Sequence, residues 1–414
     1  MITVKPFFAL RPHKDFVEEC AALPYDVMSS DEARIEVEGK PYSFLHIDKA
    51  EIDLDKDIDI YDEAVYAKAA SNLKLFEDKG IYVNDGAKRY YFYRQIMDGR
   101  AQTGIVGCAS IDDYLENRIK KHEFTRADKE VDRIKHVDTC SAHTGPIFLT
   151  YKDSSELDEI ISKETEKAPI YDFTSEDGIR HTVWATDNAS VDEAIERAFA
   201  SLDALYIADG HHRAASAVKV GVKRRQENPD YNGNEEFNFF LSVIFPSKFL
   251  KILDYNRLIK DLNGYTPDEF LSVVSKNVGT VEEYEGMGQY RPENTHTVGI
   301  YVNKKWYKVK FYEEICNADS AVDRLDCAIL QKNVLSPILG IDDPRSDKRI
   351  DFAGGIRGLG YLEERCNQDM VAAIAMYPTS LDELMAVADS GEVMPPKSTW
   401  FEPKLRSGIL IHKI

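Results

Sequence analysis

Six short runs rich in β-branched and aromatic residues, at 90–93, 104–111, 146–151, 181–185, 205–208 and 239–245, constrain this chain most. Helical patterns lie between them, so the expected class is mixed α/β, sheets with flanking helices. One helix carries Tyr61, Val65, Ala69, Leu73 and Phe76 at steps of three and four and stops at Gly80, a core-facing stripe with a glycine C-cap. A second opens on Ser190-Val191-Asp192-Glu193, read as a capping box, and turns Ile195, Phe199 and Leu202 to one side before the strand 204–208. Further on, 297–311 alternates like a hairpin arm. Val322, Leu325, Ile329 and Leu330 mark a helix ending near Pro337 and Gly340. A last strand at 371–376 leads into a helix capped by Ser380 and Glu383.

A chain of 414 residues with 43% apolar content favours two packed cores, placed at 1–248 and 249–414, with 226–236 and 285–296 as exposed loops. Fifty-two basic against 72 acidic residues give a formal charge of -20, which repels nucleic acid and anionic membrane, so an anionic ligand must meet a local basic pocket. The six cysteines lie far apart without a C-x-x-C pair and read as reduced core thiols. The N-terminus lacks the pattern of a signal peptide and no run approaches 18 apolar residues, so a cytoplasmic protein is expected. The alternating run 53–59 lacks the glycine and terminal glutamate of a calcium loop and reads as a solvated acidic segment.

Chemistry concentrates where the apolar strand 204–208 meets Asp209-Gly210-His211-His212-Arg213, followed by the helix-forming Ala214-Ala215-Ser216-Ala217-Val218. A strand, a tight turn and a helix N-terminus bind anions, because first-turn amides lack intrahelical acceptors and lie at the positive end of the helix dipole. Gly210 tolerates positive φ and close approach of a ligand, Arg213 can clamp a phosphate, and Asp209 can hold Mg²⁺ or orient a histidine. His211 and His212 suit acid-base work or phosphate donation, although neighbouring side chains on a helix point about 100° apart and one of them can be structural. A zinc site is disfavoured, since adjacent histidines rarely chelate one ion and no H-x-x-x-H spacing occurs.

A second charged stretch, Lys120-Lys121-His122-Glu123-Phe124-Thr125-Arg126 and on to Lys129, Arg133 and His136, reads either as a solvated ion-pair helix or as a site. As a helix it places Arg126, Lys129 and Arg133 on one basic face with Lys121 near its start, and Glu123 as general base for a small hydroxyl substrate. Toward the C-terminus, Arg345 and Arg349 follow Asp343-Pro344, and Lys397, Ser398 and Thr399 follow Pro395-Pro396. Both groups suit carboxylate or phosphate recognition, and both read equally as a turn knitted by ion pairs or a packed extended arm.

The turn at 209–213 resembles that of the ParB and sulfiredoxin superfamily and matches the Asp-Gly-His-His-Arg form of ADP-dependent free serine kinases residue for residue. Position 211 is histidine where sulfiredoxins carry their reactive cysteine, so sulfinic-acid reduction is not expected. Read in order, Pro24-Tyr25-Asp26-Val27, Ser43-Phe44-Leu45-His46, Lys121-His122-Glu123, Thr144-Gly145-Pro146-Ile147-Phe148-Leu149, the 209–213 turn, Asp343-Pro344-Arg345 and Met394-Pro395-Pro396-Lys397-Ser398-Thr399 resemble the bacterial and archaeal domain-of-unknown-function family ten-fifteen.

The resemblance implies a ParB/sulfiredoxin-like N-terminal part that binds nucleotide phosphates at Gly210, His211, His212 and Arg213, and a second α/β domain that completes the site. Members of the family are often encoded beside phosphoglycerate dehydrogenase and phosphoserine aminotransferase, which points to serine or phosphoserine. The expected function is therefore phosphotransfer in serine metabolism, of serine kinase or phosphoserine phosphatase type, with Mg²⁺ and an adenine nucleotide. The alternative is a nucleotide-binding regulator of the ParB type, against which stand the net charge and the lack of a basic recognition helix.

Overall fold

The computed structural model describes residues 1–125 and 127–414, Asp128 through its backbone alone. The fold is mixed α/β, with several sheets and flanking helices, and divides into a unit of residues 1–250 with 403–414 and a unit of residues 251–402.

The first unit is built on a nine-stranded sheet whose main path runs Ile119–Lys120, Leu205–Asp209, Ile147–Tyr151, Phe239–Pro246, Arg100–Ser110, Tyr91–Met97, Arg180–Ala185, Tyr171–Thr174, with Val4–Lys5 also on Arg100–Ser110. Two pairings are parallel, Leu205–Asp209 with Ile119–Lys120 and Phe239–Pro246 with Ile147–Tyr151. The two strands of the latter pair are buried at every position, which is why they read in sequence as unbroken apolar runs rather than alternating ones. Ile105, Leu149, Ile207, Phe240 and Ile244 of the sheet pack with Phe199, Ala214 and Val218 from flanking helices in one core.

A second core gathers Val65, Ala69, Leu73 and Phe76 of helix Glu63–Asp78 with Tyr82 and Ile411. This helix follows its sequence stripe. Asp62 caps it by accepting from the Ala64 amide, leaving Tyr61 just outside, and Gly80 sits beyond its end at φ 70°. A four-stranded sheet, ordered Tyr82–Asn84, Ala9–Pro12, Ile411–Lys413, Ala142–His143, returns the end of the chain to the first unit. The expected capping box at Ser190 does not form. Asn188 caps helix Ala189–Ala200 by accepting from the Ser190 amide, and Glu193 instead lies 3.8 Å from Arg197 one turn on. An asparagine two residues upstream offers its short side-chain oxygen first.

The second unit carries a six-stranded antiparallel sheet ordered Gly279–Glu283, Lys305–Phe311, Thr297–Val302, Ala372–Ala375, Tyr255–Ile259, Ile350–Gly354. The hairpin expected at 297–311 is present, closed by Asn303 and Lys304 at φ 51° and 61°, as a two-residue turn matched to strand twist requires. The helix expected from Val322 begins only at Asp326 and widens over Gln331–Leu335 into i to i+5 bonding, so Val322 and Leu325 precede it. Ser380 and Glu383 do form a capping box, but Ala372–Ala375 is not the last strand, since Trp400–Phe401 and Ile411–Lys413 follow. All six cysteines are free. Among the described residues no helix is long and apolar enough to cross a membrane.

Candidate active site

Strand Leu205–Asp209 pairs regularly with Ile147–Tyr151 until a bulge between Ile207 and Asp209 shifts the register. A bulge re-aims the side chain that follows it, here the first residue of the charged turn. Gly210 then adopts φ 92° and serves as N-cap of helix His211–Glu227, a left-handed conformation that a side chain would strain. A Cβ at this position would also meet the Arg213 guanidinium at 3.0 to 3.1 Å.

Asp209 is already matched by cations. Its Oδ1 accepts from the Gly210 amide at 2.8 Å, its Oδ2 from Lys404 Nζ at 3.1 Å, and Arg213 lies 4.0 Å away. Burial alone would raise the carboxyl, but Lys404 and then Arg213 overcome it and hold Asp209 well below the usual carboxylate range. Both oxygens of Asp209 are engaged, and among the described residues no group of three metal-binding side chains gathers.

His211 and Glu123 come together. The His211 side chain is 4% exposed, and its Nε2 accepts from the His122 amide at 3.4 Å. Its Nδ1 lies 3.7 Å from Glu123 Oε2. Burial, with the His122 ring next, pushes His211 well below the ordinary histidine range. The ring is therefore neutral, and with Nε2 accepting, its single proton sits on Nδ1 facing the Glu123 carboxylate. His122 meets the His211 ring edge-on at 4.4 Å, is fully buried, and is pushed by burial down to about 4. His212 is half-buried and acts electrostatically on Glu130, the carboxylate that ties Thr125 to Lys219.

The basic stripe expected over 123–133 is corrected by the chain's course. Glu123 precedes helix Ala127–Cys140, in the segment after strand Ile119–Lys120, so helical spacing does not relate it to Arg126, which lies outside the described residues. Lys121 rests 4.0 Å over the Tyr114 ring, and burial lowers its ammonium. Lys129 donates to Tyr61 Oη at 3.1 Å, while Arg133 is buried, stacked 4.0 Å over Tyr25 and bonded to Asp132 at 2.9 Å. The two side chains do not share one exposed anion-binding face.

Five further candidates lie in the second unit. Arg345 pairs with Asp343 and Arg349 with Asp347, each at 2.8 Å and two residues away, and Arg349 also donates to the Leu339 and Gly340 carbonyls. Ser398 is buried and donates to the Pro395 carbonyl at 2.6 Å. Lys397 takes φ 59° with Nζ 5.5 Å over the Tyr255 ring, and Thr399 is half-buried.

Beside the turn, a cleft is lined by Tyr25, Asp48, Arg133, His136, Thr144 and Arg213, among others. Sequence reasoning assigned no role to Asp48 or Lys404. Tyr25 and Thr144 did stand in motifs, and the convergence of those motifs was the one available signal.

Residues 4–328 match the family described as "Protein of unknown function (DUF1015)". The chain belongs to that family. No curated protein matches it. Among solved structures, this DUF1015 chain is similar to a C-terminally truncated SbnI from Staphylococcus aureus at 10% identity, with 72% of this chain and 84% of that chain covered and a TM-score of 0.38. It is similar to a free serine kinase in complex with AMP at 15% identity, covering 72% and 89%, with a TM-score of 0.34. A conserved hypothetical protein from Pyrococcus furiosus matches at 14% identity, covering 72% and 91%, with a TM-score of 0.33.

Proposed function

We propose that the protein is a phosphotransfer enzyme of serine metabolism, moving a phosphoryl group onto or off the serine hydroxyl, with an adenine nucleotide as partner in the kinase direction. The observation that carries this reading is the pairing of Glu123 with neutral His211 at the N-terminus of helix His211–Glu227, behind positive-φ Gly210. Phosphoryl transfer needs positioning, charge neutralisation and a proton acceptor, with little covalent work by the protein. The free first-turn amide positions of a helix supply neutralisation for nucleotide phosphates. Glu123 supplies the proton acceptor, its side chain 32% exposed and so reachable by substrate. The match of the turn to that of the free serine kinases supports serine as the hydroxyl.

In the forward direction Glu123 accepts the hydroxyl proton as the serine oxygen bonds to phosphorus and the bond from phosphorus to the nucleotide oxygen breaks. In the reverse direction the protonated carboxyl gives its proton to the departing serine oxygen, and with water as acceptor it takes the water's proton and passes it to that oxygen. His211 touches neither partner in this scheme. Its Nδ1 lies 3.7 Å from Glu123 Oε2, within electrostatic reach of the carboxylate, and it acts as a positioning residue. Mg²⁺ enters as the counter-ion of the nucleotide.

Phosphorus NMR of the purified protein with Mg²⁺ tests this, with ADP or ATP plus serine in some tubes and phosphoserine, with and without AMP or ADP, in the others. Formation or loss of phosphoserine supports the reading, and the consumed donor or acceptor sets its direction. Nucleotide binding without turnover in any tube overturns it in favour of a nucleotide-binding regulator.

A further inference from the structure

The cleft beside the turn contains side chains whose hydrogen bonding is incomplete. Asp48 is 3% exposed, and its Oδ1 accepts from Thr144 Oγ1 at 2.7 Å, yet its buried Oδ2 meets no partner among the described residues. Arg213, its side chain 10% exposed, donates through one terminal nitrogen to the Pro146 carbonyl while its buried Nε has no partner among the described residues. His143, 5% exposed, leaves Nε2 without a partner among the described residues. All three residues line the same cleft. A buried carboxylate oxygen or guanidinium N–H left unpaired is costly, and native proteins rarely tolerate several in one place unless something else completes them.

Charge decides what that something is. Arg133 is bonded to Asp132 at 2.9 Å, while Arg213, 4.0 Å from Asp209, shares that carboxylate with Lys404, so three cations meet the carboxylates of Asp132 and Asp209 and Asp48 supplies the third negative charge. Asp48 acts electrostatically on both arginines. The cleft is therefore lined by a carboxylate and a guanidinium that each keep one buried atom without a partner among the described residues, with no excess positive charge. A free dianion would face the orphan oxygen of Asp48, and a simple cation would face the guanidinium groups. A zwitterion satisfies both.

We propose that this cleft binds the head group of a small α-amino acid, Asp48 receiving its ammonium and Arg213 with Arg133 its carboxylate. The inference rests on the serine reading above for the ligand's side chain, while the cleft itself sets the head group. Arg213 then joins the two sites, since it lies in the first turn of the helix that carries His211.

Calorimetric titration of the full chain, with and without ADP, compares L-serine with ethanolamine, glycolate and inorganic phosphate. L-serine is expected to bind, with ethanolamine and glycolate at least tenfold weaker because each lacks one charge of the zwitterion. Asp48→Asn is expected to weaken serine at least tenfold and leave ADP affinity unchanged. Should that variant fail to fold, Thr144→Val, which removes only the hydroxyl that holds Asp48, is expected to weaken serine several-fold. Glycolate or phosphate binding as tightly as serine overturns the proposal in favour of a plain anion site, and no serine binding to folded protein leaves the cleft to water. The two readings separate cleanly. Serine binding that depends on Asp48 without turnover keeps the cleft and sinks the transferase, whereas turnover whose serine KM ignores Asp48→Asn does the reverse.

Discussion

Arg213 and Arg345 stand in motifs of similar composition, an arginine within four residues of an aspartate at a turn, yet the two units use them in opposite ways. Arg345 is 58% exposed in its side chain and pairs with Asp343 two residues away, a surface ion pair that neutralises itself. Arg213 is 10% exposed, shares Asp209 with Lys404, lines a cleft and keeps a buried nitrogen without a partner among the described residues. A charged motif becomes a binding candidate when folding buries it and leaves part of its bonding capacity open. Composition alone does not separate the two cases.

Acid should separate the units most strongly. Six histidines of the first unit, His122, His136, His143, His181, His211 and His412, are pushed below their ordinary range chiefly by burial, His122 to about 4 and His181 to about 3. Each folded value lies below the unfolded one, so the unfolded chain binds more protons. Stability from this source is intact above about pH 6.5 and falls toward pH 4, by about 1.4 kcal/mol per pH unit for each histidine titrating only in the unfolded chain. In the second unit, burial raises Asp326 to about 6 against hydrogen bonds from His296, so its contribution has the opposite sign and stability rises as pH falls from 6 toward 4. Urea unfolding between pH 7 and 4.5 checks this, followed through Trp184 in a Trp306→Phe, Trp400→Phe background and through Trp306 and Trp400 in a Trp184→Phe background. Equal acid sensitivity of both signals would break the contrast.

Arg213→Ala should lower stability by about 3 to 5 kcal/mol, because it removes one partner from a buried charge cluster. Chemical denaturation measures this, and a loss under about 1 kcal/mol would place Arg213 with the surface pairs. Gly210→Ala should cost about 1 to 2 kcal/mol for the left-handed backbone, with added crowding from the Arg213 guanidinium. A melting temperature equal to the wild type would show that the turn relaxes. Smallest of all, Arg345→Ala should leave the melting temperature within experimental scatter, and a clear drop would mean that its loop holds more than a surface pair.

The legible parts of the molecule are those that local physics determines. The runs at 146–151 and 239–245 read as strands because both faces are buried, and Gly210 read as a positive-φ turn because it joins a strand to a helix. Glu123 and His211 were each singled out, but their contact spans 88 residues of chain and no spacing rule reaches that far. The charge run at 120–133 carried a helical spacing that Glu123 does not share, since the helix starts only at Ala127. The pairing of Lys404 with Asp209 and of Thr144 with Asp48 was illegible for the same reason, each linking elements distant in sequence. Strands as short as Ala142–His143 and Ile411–Lys413 carry no measurable period, so the return of the chain end to the first unit had no local signature.

The most direct test of the proposed chemistry is phosphoserine turnover by Glu123→Gln beside the wild type, with nucleotide affinity measured on the same samples. The account predicts a loss of roughly 10² to 10⁴-fold in turnover, the usual worth of a general base, with nucleotide affinity within about twofold because the helix N-terminus is untouched. Turnover at the wild-type rate in Glu123→Gln would contradict it.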